Sequence, residues 1–184
     1  MNVALIFGGR GLERDVSIAG ARFVYPLIPR EKYRVIPILI TADGQWLIRE
    51  DDGCPCGGIG LFEAADRDRA IPTVEDFTLP CTPMNFGDRQ GLIFYGGFIP
   101  IDCAFPLLHG DFGEDGVVQG ALENAMIKYV GEDTVTSATC LDKRLTHLIA
   151  ARLGIPVARA IFADPNESCD TARDRAERLL GYPA

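Results

Sequence analysis

Apolar runs that end at glycine or proline dominate the first fifty residues. "NVALIF" (2–7) stops at two glycines, as short buried parallel strands do, and "KYRVIPILIT" (32–41) has the same character. Between them "SIAGARFVYPLI" (17–28) predicts a helix, with Ser17 as its N-cap and Pro26 limiting its length. "ADGQWLI" (42–48) predicts a turn and a hairpin partner for the second strand.

Strands and helices alternate again after residue 100. The patterns predict a strand at "IDCAFPLL" (101–108), a helix at "GVVQGALENAM" (116–126), a brief strand at "KYVG" (128–131) and one helix from Ser137 to Gly154. Residues 50–100 are less regular, with two short strands at "DFTL" and "GLIFY". Further on, "IPVARAIFAD" predicts a strand and "DTARDRAERLLG" a solvent-facing helix. This alternation predicts an α/β fold, a Rossmann-like parallel sheet flanked by helices.

Composition and charge narrow the possible partners. The chain has 184 residues, 47% of them apolar and 24% charged, and a net charge of −8. No block of Lys and Arg is present, so nucleic acid is not an expected partner. The N-terminus has no basic region, and its apolar run is too short for a signal peptide or a membrane span. We therefore predict a cytoplasmic protein that binds no membrane.

Six cysteines occur in a chain without a secretion signal, so we expect reduced thiols. Cys54 and Cys56 form "CPC", which could supply half of a metal site, but no second pair completes four ligands. We interpret this segment as a loop that carries two thiols.

A glycine-rich loop, "GGRGLERDVS" (8–17), follows the first strand, where open α/β sheets bind ligands. Its spacing is not GxGxxG, and Glu13 and Asp15 would repel a pyrophosphate, which argues against a dinucleotide-dependent oxidoreductase. The carboxylates fit a site for an ammonium group. The alternative is that they only complement the dipole of the following helix.

A second glycine-rich loop, "HGDFGEDGVVQG" (109–120), follows a later strand. His109 could donate a hydrogen bond to a carboxylate or phosphate, or it could be a structural hydrogen-bonding residue. Glu114 and Asp115 could cap the next helix or hold the loop. The glycines allow the backbone to turn tightly and to approach a ligand closely.

Four ordered motifs together resemble the D-alanine:D-alanine ligase family. They are "LIFGGRGLERDVS", "LLHGDFGEDGVVQGALE", "KYVGEDTVTSATCLDKRLTHLIAARLGIPV" and "LGYP". The segment "EKYRVIPILITADGQW" resembles the vancomycin-resistance branch, the D-Ala:D-Ser ligases in particular. Residues 50–100 carry little of the resemblance.

The resemblance implies a substrate-binding pre-ATP-grasp domain in residues 1–136 and the start of an ATP-grasp central domain in residues 137–184. It implies ATP-dependent synthesis of a dipeptide for peptidoglycan precursors through a D-alanyl phosphate, with D-alanine and a second D-amino acid as substrates. ATP and Mg2+ are the implied cofactors, and a homodimer is the implied assembly. The family's metal ligands and phosphate loop have no match in these residues, so we expect this chain alone to be inactive.

The resemblance also assigns roles to individual residues. Glu13 would bind the ammonium of the first D-alanine, with Val16 and Ser17 lining the same pocket, and His109 would position the carboxyl group of that substrate. Glu13 and His109 are thus the expected catalytic residues.

Two positions of the 137–154 segment complete the assignment. Lys143 would contact the nucleotide phosphates, although by its spacing it could equally be an exposed helical lysine. His147 receives no role and is expected at the helix surface. The alternative for the whole chain is a stand-alone, non-catalytic D-amino-acid-binding or dimerisation module.

Overall fold

The computed structural model describes residues 1–49 and 73–181. The chain divides into two compact units, Met1–Leu141 and Asp142–Ala184. Our division into functional domains at residues 136 and 137 stays a prediction, and the predicted loop at Cys54 and Cys56 lies outside the described residues. Among the described residues, no helix has the length and apolar character needed to cross a bilayer.

A mixed seven-stranded sheet forms the centre of the first unit, in the order β6-β5-β4-β3-β2-β1-β7. The three parallel strands are β1 (Asn2–Gly8), β2 (Arg34–Ile40) and β7 (Cys103–Pro106). The four antiparallel strands are β3 (Trp46–Arg49), β4 (Phe77–Asn85), β5 (Gln90–Phe94) and β6 (Gly97–Pro100). The predicted α/β sheet is confirmed, but only three strands are parallel. Parallel pairing of consecutive strands requires a long crossover connection. The short turns between β2 and β3, β4 and β5, and β5 and β6 cannot provide it.

The first helix, α1 (Arg14–Val24), begins earlier than predicted. Its N-cap position is Glu13, whose side chain does not cap the helix, and Ser17 lies inside the first turns. The prediction of Ser17 as N-cap was wrong because its hydroxyl is engaged by the ends of two strands. Pro26 does limit the helix, which continues as a 3-10 turn at Tyr25–Leu27.

The predicted helix from Ser137 to Gly154 is two helices, α3 (Thr134–Leu141) and α4 (Lys143–Arg152). Asp142 interrupts them because its backbone is extended, with ψ of 100°, and its carboxylate accepts hydrogen bonds from the amides of the next helix. Before α3, α2 (Val117–Asn124) agrees with its prediction. The last helix, α5 (Cys169–Leu180), also agrees.

Two predicted strands are not regular strands. At "KYVG" only Tyr129 bridges to Ala104. Residues 155–164 form no strand, because a strand needs a hydrogen-bonding neighbour and the described part of the second unit contains none.

Hydrophobic clusters cover both faces of the sheet, and β1 contributes to each. Ala4 and Ile6 pack into one cluster, whereas Leu5 and Phe7 pack into the other. The first cluster includes Val118 and Leu122 of α2, and the second includes Ile18 and Ala21 of α1. Complete burial of each large apolar side chain contributes about 1.5–3 kcal/mol, so β1 is a rigid base for the loop that follows it.

Candidate functional site

The candidate site lies at the edge of the sheet where the three parallel strands end. Gly8 of β1 is aligned with Ile40 of β2, and Ile6 is aligned with Pro106 of β7. The first loop (residues 9–13), the β2–β3 turn (residues 41–45) and the second loop (residues 107–116) therefore leave the sheet at the same edge. In open α/β sheets this edge is where ligands bind.

The first and second loops touch through two glycines. A Cβ on Gly11 would lie 2.8 Å from the carbonyl oxygen of Asp111. Gly110 has a left-handed φ of +66°, and a Cβ there would lie 2.9 Å from Glu13 Oε2. The exposed Glu13 carboxylate thus lies against the backbone next to His109. Glu13 and the His109-Gly110 backbone, which are far apart in sequence, are brought to one place.

Ser17 supports this arrangement from inside the protein. Its fully buried hydroxyl donates to the carbonyl of Leu107 and accepts from the amide of Gly8, at 2.8 Å. The side chain therefore joins the end of β1 to the start of the second loop. Val16 of α1 is 59% exposed, and Glu13 is exposed as well. Two of the three residues predicted to line the pocket are therefore accessible, whereas Ser17 is not.

The acidic pair of the second loop holds the loop backbone. Glu114 Oε2 accepts from the amide of Gly110 at 2.9 Å. The two oxygens of Asp115 accept from the amides of Phe112 at 2.9 Å and of Val117, in the first turn of α2, at 3.1 Å. The prediction that these carboxylates cap the helix or hold the loop is confirmed, and the His109-Gly110 backbone is fixed by the residues that follow it.

Arg10 and Phe112 were missed by sequence reasoning. The guanidinium carbon of Arg10 lies 4.3 Å from the ring centroid of Phe112, within the range of a cation–π contact. A Cβ on Gly44 would lie 2.9 Å from Arg10 Cδ, so the β2–β3 turn packs against the aliphatic part of the Arg10 side chain. No local pattern could have signalled these contacts, because the three segments are distant along the chain.

The β2–β3 turn adds a carboxylate to the same edge. The hydroxyl of Thr41 donates to Asp43, and the side-chain amide of Gln45 donates to the other oxygen of Asp43 at 2.9 Å. These hydrogen bonds, with that of Thr41 the strongest influence, hold the pKa of Asp43 below its usual range. The nearby charge of Arg10 acts in the same direction.

Lys143 belongs to the second unit, where it is the exposed first residue of α4. Asp142 already accepts from the amides of Arg144, at 2.9 Å, and Leu145, at 3.2 Å. A phosphate at this helix start would therefore interact mainly with the lysine ammonium. His147 is half-buried and packs edge-on against Phe162, with ring centroids 5.8 Å apart, rather than lying freely at the surface.

Metal binding can be tested on the part of the chain that the structure describes. There, no group of three or more His, Cys, Asp or Glu side chains could hold a metal ion. The described residues therefore provide no metal site of this kind.

Comparison with known proteins matches residues 2–132 to the family described as "D-ala D-ala ligase N-terminus". Relatives named D-alanine–D-alanine ligase include those of Corynebacterium diphtheriae, 33% identical, and Nocardia farcinica, 36% identical; each alignment covers 100% of this chain. It covers 48% and 49% of those relatives, so the chain spans about half the length of the curated relatives it matches.

Solved structures agree with this result. The VanG D-Ala:D-Ser ligase from Enterococcus faecalis has a TM-score of 0.73 and 32% identity over 99% of this chain and 50% of its own. The D-alanine-D-alanine ligase from Coxiella burnetii has a TM-score of 0.75 and 25% identity over 98% of this chain and 49% of its own.

Proposed function

Because this chain belongs to the D-ala D-ala ligase N-terminus family, we propose that it is the substrate-binding part of a D-alanine–D-alanine or D-alanine–D-serine ligase. The observation that carries the proposal is the contact between the Glu13 carboxylate and Gly110, which brings an accessible anion beside the backbone that follows His109. This arrangement supports a site in which Glu13 binds the ammonium group and His109 the carboxyl group of one amino acid.

A free amino acid is a zwitterion and needs two opposite kinds of partner. The Glu13 carboxylate supplies the anion for the substrate ammonium, and the imidazole of His109 supplies a donor for the substrate carboxyl group. Val16 lies three residues after Glu13, in the first turn of α1, and offers an exposed apolar surface to the substrate methyl group. Ser17 does not contact the substrate, and its buried hydroxyl holds the end of β1 against the start of the second loop.

In the complete ligase, the proposed reaction makes the dipeptide for peptidoglycan precursors. ATP transfers its terminal phosphoryl group to the carboxylate of the first D-alanine, and the amine of the second D-amino acid then displaces phosphate from the D-alanyl phosphate. Lys143 is the residue of this chain proposed to contact the nucleotide phosphates. No step is assigned to Mg2+, because the described residues contain no group of three or more potential metal ligands.

Two wider expectations accompany this function. Since the chain spans about half the length of these relatives, we expect the 184 residues alone to form no dipeptide with ATP and D-alanine. ATP-dependent dipeptide formation by this chain would contradict that expectation. The homodimer and the cytoplasmic location stay predictions, and the resistance-type D-Ala:D-Ser specificity is supported only by the similarity to VanG.

D-alanine titration of the isotope-labelled chain, followed by NMR, tests the ammonium site. We expect Glu13→Gln to weaken D-alanine binding by about ten- to hundredfold, the range for loss of a charge-assisted hydrogen bond. Asp15→Asn is the matched control, because the Asp15 side chain is 95% exposed and lies 3.6 Å from Arg14. It should change the affinity less than twofold, and equal losses in both variants would contradict the assignment of Glu13.

A further inference from the structure

Two side-chain contacts join the first loop to the second loop. At one end, the Arg10 guanidinium lies over the Phe112 ring. At the other end, the Glu13 carboxylate lies against Gly110. Between these contacts, Gly11 approaches the carbonyl oxygen of Asp111 so closely that a Cβ would be 2.8 Å away. The position of Glu13 is therefore coupled to the position of Arg10 through the backbone of the two residues between them.

Phe112 has an unusual backbone conformation for its residue type. Its φ of +64° lies in the left-handed region, which costs a residue with a Cβ about 1–2 kcal/mol. The Phe112 amide donates to Asp115 at 2.9 Å, and this hydrogen bond helps to hold the conformation. Strained residues of this kind concentrate at functional sites, where the surrounding structure maintains them. Here the strained residue is the one whose ring receives Arg10.

Arg10 is held from the opposite side by the β2–β3 turn. Gly44 has a φ of +89° and no side chain, which allows the arginine stem to pass close to its backbone. The planar guanidinium can then stack on the ring while it retains its charge. Arg10 therefore connects all three segments at the edge of the sheet.

We propose that Arg10 and Phe112 form a latch that positions the Glu13 carboxylate for the substrate ammonium. Arg10 is a positioning residue, not a catalytic one, because it acts on the substrate through Glu13. This inference rests on the proposed function. It adds that the affinity for D-alanine depends on an arginine–aromatic contact outside the substrate pocket.

The latch predicts a defined pattern of D-alanine affinities. Arg10→Met and Phe112→Leu should each raise the Kd for D-alanine by about two- to fivefold, the range for an exposed cation–π contact. The Kd of the double variant should rise no further than that of the single variant with the larger loss of affinity, because both changes remove the same contact. Arg10→Lys should recover part of the affinity, since it retains a cation.

A second cation–π pair in the chain provides the control. The guanidinium carbon of Arg89 lies 5.3 Å from the Phe98 ring centroid, in the β4–β6 region. Arg89→Met removes the same chemistry without touching the first or second loop, so its Kd for D-alanine should equal that of the unchanged chain. Fully additive losses at Arg10 and Phe112, or an equal loss at Arg89, would overturn the latch.

A structural readout separates this inference from the proposed function. In the unchanged chain, the Hα protons of Gly110 should show nuclear Overhauser contacts with the Hγ protons of Glu13. Arg10→Met should lose these contacts and Arg89→Met should keep them. If Arg10→Met keeps them, the latch is wrong whether or not D-alanine binds. If the unchanged chain shows the contacts but binds no D-alanine, the proposed function fails while the latch is still tested by the two variants.

Discussion

Replacement of Ser17 by alanine tests whether this residue is a structural brace or a substrate contact. The Ser17 hydroxyl is fully buried and joins the Gly8 amide to the Leu107 carbonyl. In Ser17→Ala both backbone groups lose their partner at the junction of β1, α1 and the second loop. We therefore expect the main effect on the free energy of unfolding.

The magnitude follows from the burial of the two backbone groups. Loss of the partner of the buried Gly8 amide costs about 1–3 kcal/mol, and loss at the half-buried Leu107 carbonyl costs about 1 kcal/mol. The higher helix propensity of alanine offsets about 0.5 kcal/mol. The net loss is about 1.5–3.5 kcal/mol, a large fraction of the stability of a typical domain.

Urea unfolding followed by the fluorescence of Trp46, the one tryptophan of the chain, measures this loss in the first unit. Ser137→Ala is the control, because Ser137 also lies in a helix but donates to the carbonyl of Glu132 from an exposed position, at 3.3 Å. It should cost less than about 0.5 kcal/mol. A Ser17→Ala variant that keeps its stability but loses D-alanine affinity would refute the brace.

Three further predictions concern other parts of the first unit. Gly110→Ala and Gly87→Ala should each cost about 1–2 kcal/mol, because both glycines have left-handed φ. Only Gly110→Ala should weaken D-alanine binding, since a Cβ on Gly87 meets nothing within 4 Å; equal affinities would refute this. Hydrogen bonding, chiefly from the Tyr129 hydroxyl, holds the pKa of Glu123 below its ordinary 4.5. The contribution of the ionised Glu123 to stability is therefore present above pH 4.5 and is lost as the pH falls through the lowered pKa. Tyr129→Phe should therefore lower the urea midpoint at pH 7, and the difference should shrink as the pH falls below 4.5; a constant difference would contradict this. Burial raises the pKa of Cys81 to about 12, so mass spectrometry should find it alkylated at pH 8 far more slowly than the exposed cysteines of α3 and α5, and comparable rates would be inconsistent with its burial.

Elements with a strong local pattern were predicted correctly. β1 is an uninterrupted apolar run because its residues alternate between two buried clusters, and such a run is visible in the sequence. The break at Asp142 was missed, because helical spacing continues across it and one capping side chain decides the outcome. β6 was missed because it has only four residues and is defined by its pairing with β5.

The charge of the candidate site can be read from the sequence, whereas its geometry cannot. Glu13 is a candidate cation-binding residue because a carboxylate after a strand end repels a phosphate and attracts a cation. Its contact with Gly110 depends on β1 and β7 being neighbours, which no spacing in the sequence reveals. The Arg10–Phe112 contact depends on the same adjacency and was missed for the same reason.

The position of β7 beside β1 also determines when the site can form during folding. The hairpins of β4 to β6 join residues that are near in sequence, whereas the pairing of β1 with β7 closes a loop of most of the first unit. Closing a long loop costs entropy before its contacts form, so such pairing is slow. We expect β7 to join the sheet late, and the first and second loops to meet only then. The domain would thus complete most of its secondary structure before it acquires any affinity for a substrate.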